Sequence, residues 1–341
     1  MGELLGLVNT LELEIAGQET VKIRERNPKF GMGSGKAEEI AGKAKELEAD
    51  CLVFDWDTSP SQQRNWEDLA GIPVIDRQEL IINIFAMRAV TREADLQVRL
   101  AELHYRLPRL THKYIDLSRQ RGGRYGTKGA GETRLETDRR EIQKRIHKLE
   151  KEIENVSKQR QVQRRQRERQ GTPVCAIVGY TNAGKSSLFN ALSGSAVLVE
   201  DKLFATLDAT TRRFEPTPGM EALLADTVGF IRRLPHNLIK AFRSTLEEAA
   251  HASLLIHVLD ASDPNIENCF ATTVSVLQEL GAGEIPVITV LNKTDLLTDA
   301  AHPDTARLDT LLSLFPQSLG ISVKTGKGLD ELKSRIAGKL R

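Results

Sequence analysis

Cysteine is scarce: Cys51, Cys175 and Cys269 are the only three in 341 residues, and they stand far apart in apolar or helical surroundings. Zinc and redox motifs need closely spaced pairs, so both are excluded, and the three read as reduced packing residues. Long apolar runs are missing as well. No stretch approaches the roughly 18 residues of a membrane span. The start, Met1-Gly2-Glu3-Leu4-Leu5-Gly6, has no basic region followed by an apolar stretch. No membrane span is expected, and the cytoplasm is the expected compartment. With 40% hydrophobic and 28% charged residues, neither a disordered nor a fibrous chain fits. At about 150 residues per domain, the length suggests two or three folding units.

Charge is scarce only on average. The net is +1, yet Arg119 to Gln170 holds 17 Lys+Arg against 8 Asp+Glu, a net of +9 that leaves −8 on the rest. Such asymmetry points to a polyanionic partner, nucleic acid first.

Three regions follow from the patterning. Residues 1–86 read as a small α/β subdomain: helix Lys36 to Ala49, strand Cys51 to Trp56, helix Ser61 to Ala70 ended by Gly71, strand Pro73 to Ile75, helix Gln78 to Ala89. Residues 87–171 carry another period. Leu96, Leu100, Leu103, Leu107, Leu110, Tyr114 and Leu117 recur at heptad spacing, with Pro108 a kink in the seam. Leu135, Ile142, Ile146, Leu149, Ile153 and Val156 form a second seam. The cheapest way to bury both is an antiparallel helical hairpin. Between them Arg121 to Arg134 is too rich in glycine for helix and too basic for a core, so an exposed tip loop is expected. After Val156 the seam positions become Arg160, Gln163 and Arg167, a solvated basic rod ending at Gly171-Thr172-Pro173. Residues 172–341 alternate again, with strands Val174 to Val178, Leu223 to Ala225, Leu254 to Leu259, Pro286 to Leu291 and Leu319 to Ser322. This is a doubly wound α/β pattern, whose ligands sit at the carboxyl ends of the strands.

Gly179, Tyr180, Thr181, Asn182, Ala183, Gly184, Lys185 and Ser186 match the phosphate-binding loop G-x-x-x-x-G-K-[ST], between a strand and the helix Ser187 to Leu192. Backbone N–H groups would wrap the β-phosphate, Lys185 would neutralise β/γ charge, and the Ser186 hydroxyl can ligate Mg²⁺. Gly31-Met32-Gly33-Ser34-Gly35-Lys36 resembles that loop superficially, but Phe30 stands where its first glycine belongs, so it reads as a turn and helix start. Asp226, Thr227, Val228 and Gly229 end a strand, offering a carboxylate to Mg²⁺ through water and a backbone N–H to the γ-phosphate. Asn292, Lys293, Thr294 and Asp295 follow another. A carboxylate at Asp295 can accept from N1–H and the 2-amino group of guanine, and adenine offers neither donor there. Ser322, Val323 and Lys324 could bracket the guanine oxygen. A second hydroxyl for Mg²⁺ lies among Thr206, Thr210 and Thr211, which position alone does not separate. Phe230 occupies the place where many GTPases carry the polar side chain that orients the attacking water, so slow intrinsic hydrolysis is expected.

With Gly126 to Arg140, Gly179 to Ser186 and Phe204-Ala205-Thr206-Leu207-Asp208 in one chain, the sequence resembles the HflX family of ribosome-associated translational GTPases over nearly its whole length. The resemblance implies a P-loop GTPase domain preceded by a small α/β unit and an antiparallel coiled-coil hairpin. It makes Ser186 and Thr206 the Mg²⁺ ligands, Phe204 to Asp208 the first switch, and Asp226 to Gly229 the second. Lys185, Thr206, Asp226 and Gly229 then carry the hydrolysis of GTP to GDP. It also implies the large ribosomal subunit and its RNA as partners, a helical region reaching towards RNA, and a role in splitting or rescuing stalled ribosomes; a monomer is the expected state. Ala130 and Ala209 depart from the family pattern, which has proline at both, and the C-terminal extension of some members has no counterpart after Arg341. Two other readings stay open: a GTPase acting in tRNA modification or ribosomal subunit assembly, and a coiled-coil protein adaptor regulated by GTP. The Arg160 to Arg169 end is too basic for a self-pairing seam, which favours RNA.

Overall fold

The computed structural model describes the chain apart from Met1, Arg26, 111–127, Gln170, 196–201, Ala205, 208–209, 233–247 and 298–304. Tyr114, Leu117, Ala205, Asp208, Ala209 and the first part of the expected tip loop therefore lie outside the described residues. Contacts divide the chain into two compact units, Met1–Met87 with Asp95–Glu154, and Arg88–Ala94 with Asn155–Arg341.

In the first unit, helix α1 (Gly2–Thr10) and α2 (Ser34–Glu46) precede β1 (Leu52–Phe54), α3 (Pro60–Ala70), β2 (Val74–Asp76) and α4 (Arg77–Arg88). β1 and β2 pair in parallel. α3 starts where Ser59 and Gln62 form a reciprocal capping box with Pro60 at the first turn, and it stops at Gly71 in the left-handed conformation. Phe30, Phe54, Trp66 and Val74 make the core. Trp66 is fully buried and donates its indole N–H to Phe30 O at 2.9 Å, so its truncation to alanine costs about 3–5 kcal/mol. α1 was not foreseen, because its short glycine-containing sequence carries no cap signal. Burial of Leu7 and Val8 and the Glu3–Arg77 ion pair at 2.7 Å hold it. The Gly31 to Lys36 string is a turn and helix start: a Cβ on Gly33 or Gly35 would meet open space.

α5 (Arg92–Arg106) gives way to a 3-10 turn, Leu107–Arg109. Pro108 has no N–H for the next helical bond. Arg109 is tied there to Asp76 at 2.9 Å and to the carbonyls of Thr58 and Tyr105. α6 (Lys128–Arg169) runs 42 residues, so the expected loop to Arg134 is corrected: helix begins at Lys128, seven residues earlier than expected. Extending an established helix gains one hydrogen bond per residue, which offsets the roughly 1 kcal/mol that each glycine costs. Leu135, Ile142, Ile146, Leu149, Ile153 and Val156 are all buried or half-buried. Arg160 is not solvated as expected, but pairs with the buried Glu93 at 2.8 Å.

The second unit holds a six-stranded sheet: β3 (Val174–Gly179), β4 (Thr210–Thr217), β5 (Met220–Asp226), β6 (Leu254–Asp260), β7 (Val287–Asn292) and β8 (Leu319–Gly320), in the order β4-β5-β3-β6-β7-β8. β4 is antiparallel and the rest parallel, so the sheet is mixed. β4 escaped the sequence reading because Arg212, Arg213 and Pro216 break the alternation. They are what an edge strand tolerates, and the register shifts between Phe214 and Thr217, around the residue that cannot donate. Helices α7 (Lys185–Ser193), α8 (Ile266–Glu279), α9 (Thr305–Leu314) and α10 (Leu329–Leu340) accompany the sheet. One core joins Ile177, Leu188, Phe189, Ile256 and Ile336, and another joins Leu259, Leu291, Ile266 and Phe315. The parallel strands are buried on both faces, which is why β6 reads as an almost unbroken apolar run. The strand order reverses at β3, and the loop that follows it opens at the carboxyl end of the sheet. Among the described residues no helix is long and apolar enough to cross a membrane, and all three cysteines are free thiols.

Candidate nucleotide-binding site

The turn between β3 and α7 requires its glycines. Gly179 has φ 147°, and a Cβ on it would stand 2.2 Å from Val258 O. Gly184 has φ 91°, and its Cβ would meet Asn292 Nδ2 at 2.3 Å. Asn182 supplies a third positive φ, 62°. No larger side chain fits, so the backbone curls into a concave nest with α7 starting at Lys185.

Lys185 is 6% exposed and donates to Tyr180 O at 2.7 Å. Burial pushes its pKa down to about 8, opposed by the Asp226 carboxylate. Burial raises the pKa of Asp226, while Lys185 and the Ser186 and Thr206 hydroxyls work against that. Ser186 Oγ donates to Asp226 Oδ2 at 2.7 Å, Thr206 Oγ1 donates to the same oxygen at 3.1 Å, and the two hydroxyls are 2.7 Å apart. Asp226 Oδ1 is buried without a hydrogen-bond partner. Position had left Thr206, Thr210 and Thr211 open; Thr206 is the one that reaches Ser186, whereas Thr210 and Thr211 belong to β4. Phe204 is buried with φ 55°, and Leu207, three positions on, is buried too.

Thr227 turns inward, its hydroxyl donating to Ile177 O at 2.6 Å, and Val228 is buried. Gly229 lies against the loop, where a Cβ would be 2.8 Å from Lys185 Nζ. Phe230 is 1% exposed, so its ring belongs to the core.

Asn292 joins three segments. Its amide donates to Ala183 O at 2.9 Å and accepts from Val323 N–H at 3.2 Å, so the phosphate loop and the segment after the last strand share one strut. Thr294 bonds Ile321 O through its hydroxyl at 2.9 Å. Asp295 Oδ1 accepts from Ser322 Oγ at 2.6 Å, which also receives Thr325 N–H. Lys324 is exposed in the turn that follows. Lys293, at φ 63°, pairs with Asp260 Oδ2 at 2.7 Å. Asp260 was missed by motif reading. Its place at the carboxyl end of a parallel strand was the available signal.

The described residues hold no cluster of three His, Cys, Asp or Glu side chains fit for a metal. The hydroxyl pair with one carboxylate suits a hard oxygen-seeking cation that keeps other oxygen ligands, as Mg²⁺ does beside phosphates. The orphaned Asp226 Oδ1 points the same way.

A phosphate nest with a buried lysine, hydroxyls converging on a strand-end carboxylate, and a second carboxylate held by Ser322 define a P-loop GTP-hydrolysing domain. Family models match at residues 1–86 (GTP-binding GTPase N-terminal), 88–167 (GTP-binding GTPase Middle Region) and 174–293 (50S ribosome-binding GTPase). The chain is 50% identical to GTPase HflX of Akkermansia muciniphila over 341 residues, covering 97% of this chain and 77% of that protein. It is 43% identical to GTPase HflX of Escherichia coli K12, covering 99% and 78%. A solved GTP-binding protein of Sulfolobus solfataricus with GDP aligns over 99% of this chain and 94% of its own, at TM-score 0.51 and 24% identity, and so shares the fold. The chain belongs to the HflX family of GTPases: it binds GTP and GDP and hydrolyses GTP.

Proposed function

We propose that this chain is a GTP-driven switch acting on the large ribosomal subunit, with the nucleotide on the loop Gly179 to Ser186 and guanine on Asn292 to Asp295. The observation that carries the site assignment is the convergence of Ser186 Oγ and Thr206 Oγ1 on Asp226 Oδ2 within 3.1 Å. Those hydroxyls would hold Mg²⁺ and Asp226 would hold it through water. When bound, the ion neutralises charge on the β- and γ-phosphates. Lys185 balances the same charge from the other side of the nest. Burial lowers its pKa, and an adjacent phosphate would favour its charged form. Gly229 offers its N–H towards the γ-phosphate. Asp295, oriented by Ser322, accepts from both guanine donors. Phe230 supplies no polar group, so the free chain hydrolyses slowly and a partner completes the site.

The net +9 of Arg119 to Gln170 supports RNA as that partner, and a family model named for 50S ribosome binding matches the GTPase part. In this reading the regions 1–86, 87–171 and 172–341 are an α/β unit, an antiparallel hairpin bearing the basic tip, and the switch. The protein works as a cytoplasmic monomer, and hydrolysis ends an engagement that splits or rescues stalled ribosomes. Co-sedimentation with isolated large subunits, with GDP or a non-hydrolysable GTP analogue, tests it. Binding is expected with the analogue and should weaken steeply with salt, since each neutralised phosphate releases condensed counterion. Deleting residues 122–131 should abolish most subunit-stimulated hydrolysis. Full stimulation of that variant, or salt-independent binding, sinks the RNA contact.

A further inference from the structure

The phosphate loop carries a contact that its motif does not call for. Phe230 N–H donates to Gly179 O at 3.1 Å and Thr181 N–H donates to Phe230 O at 2.8 Å, a short parallel bridge between the loop and the residue after Gly229. The Tyr180 hydroxyl adds a third bond, accepting from Arg232 N–H at 2.8 Å. Together they draw Gly229 onto the loop. A Cβ there would stand 2.8 Å from Lys185 Nζ and 2.9 Å from Thr181 Cα.

We propose that Tyr180 is a specificity-determining residue: it latches residues 230–232 over the seat of the terminal phosphate, so that the free protein favours GDP over GTP. The proposal rests on the nucleotide assignment above. A diphosphate needs the N–H groups from Asn182 to Ser186, none of which the latch occupies. A triphosphate must place its last phosphoryl group beside Lys185 and Gly229, where the bridge leaves so little room that even a Cβ on Gly229 would stand 2.8 Å from Lys185 Nζ. Thr181 N–H, at the edge of that seat, is already spent on Phe230 O. GTP therefore has to open the bridge and GDP does not. Only such a difference between the two ligands can shift the equilibrium.

The test measures fluorescent GDP and a fluorescent non-hydrolysable GTP analogue on the full chain, reading the ratio of their dissociation constants. Tyr180→Phe keeps the ring and removes the acceptor. The analogue should gain on GDP by roughly three- to fivefold, the equivalent of one neutral hydrogen bond. Arg232→Pro deletes the donor of the same bond, should move the ratio in the same direction, and answers the question if the first variant folds poorly. The double variant should show no more than the larger single effect. An unchanged ratio in both single variants, or fully additive effects, overturns the latch. Failure of the unaltered chain to bind either nucleotide would instead overturn the site assignment beneath it.

Discussion

Replacing Phe230 by glutamine would in many GTPases restore the side chain that orients the attacking water, and here it is expected to fail for a structural reason. Phe230 is 1% exposed, and its N–H and C=O are both taken by Gly179 and Thr181. While the bridge is closed, these two bonds to the loop direct the side chain inward, so in the nucleotide-free chain glutamine would enter the core. The loss of ring burial amounts to about 1.5–3 kcal/mol. A buried amide without partners adds about 1–3 kcal/mol. The sum, about 2.5–6 kcal/mol, is a large share of the roughly 5–15 kcal/mol that holds an average domain. Phe230→Gln should therefore lower the urea midpoint clearly, while single-turnover GTP hydrolysis without any partner is no faster than wild type. Hydrolysis at least tenfold faster, with stability kept to within about 1 kcal/mol, would show that the side chain reaches the water, and the burial argument would be refuted.

Two further outcomes are expected. His257 is buried on β6, stacked on Phe270 with ring centroids 5.2 Å apart, and its Nε2 has no partner; burial first, then Lys185, pushes its pKa down to about 3 from 6.5. The folded ring stays neutral while the unfolded one takes up a proton, so its contribution is complete above pH 6.5 and is lost as pH falls towards 3. His257→Phe should flatten the fall in stability across that window by up to about 1.4 kcal/mol per pH unit, and parallel pH curves for the two proteins would rule this out. Asp295→Asn keeps the shape beside Ser322 but turns one acceptor into a donor, so GTP affinity should drop about a hundredfold while xanthine nucleotides gain. Unchanged GTP affinity would displace the guanine contact from Asp295.

Local chemistry made much of this chain readable in advance. The phosphate loop could be placed because only glycine tolerates φ 147° and 91° against Val258 O and Asn292, so the requirement shows in the residue types themselves. Capping at Ser59 and the stop at Gly71 are written locally in the same way. β4 was not legible, since an edge strand with Arg212, Arg213 and Pro216 is stabilised by its pairing with β5 more than by its own pattern. Nor was the start of α6 at Lys128, where cooperativity along 42 residues overrides local glycine. Arg160 read as a solvated cation because its partner Glu93 is 67 positions away in the chain.

By itself, then, the sequence determined the vocabulary of the proposed site: a phosphate nest, a strand-end carboxylate, an Asp295 proposed to select guanine, and a basic helical segment. Each depends on residue type and short spacing. Which threonine joins Ser186, which carboxylate neutralises Lys293, that Phe230 faces the core and that Tyr180 reaches Arg232 were decided by tertiary structure alone. Those contacts join residues 20 to 52 positions apart or turn on which way a side chain points. A hydrogen bond fixes its partner by distance in space, and only the packed sheet sets that distance.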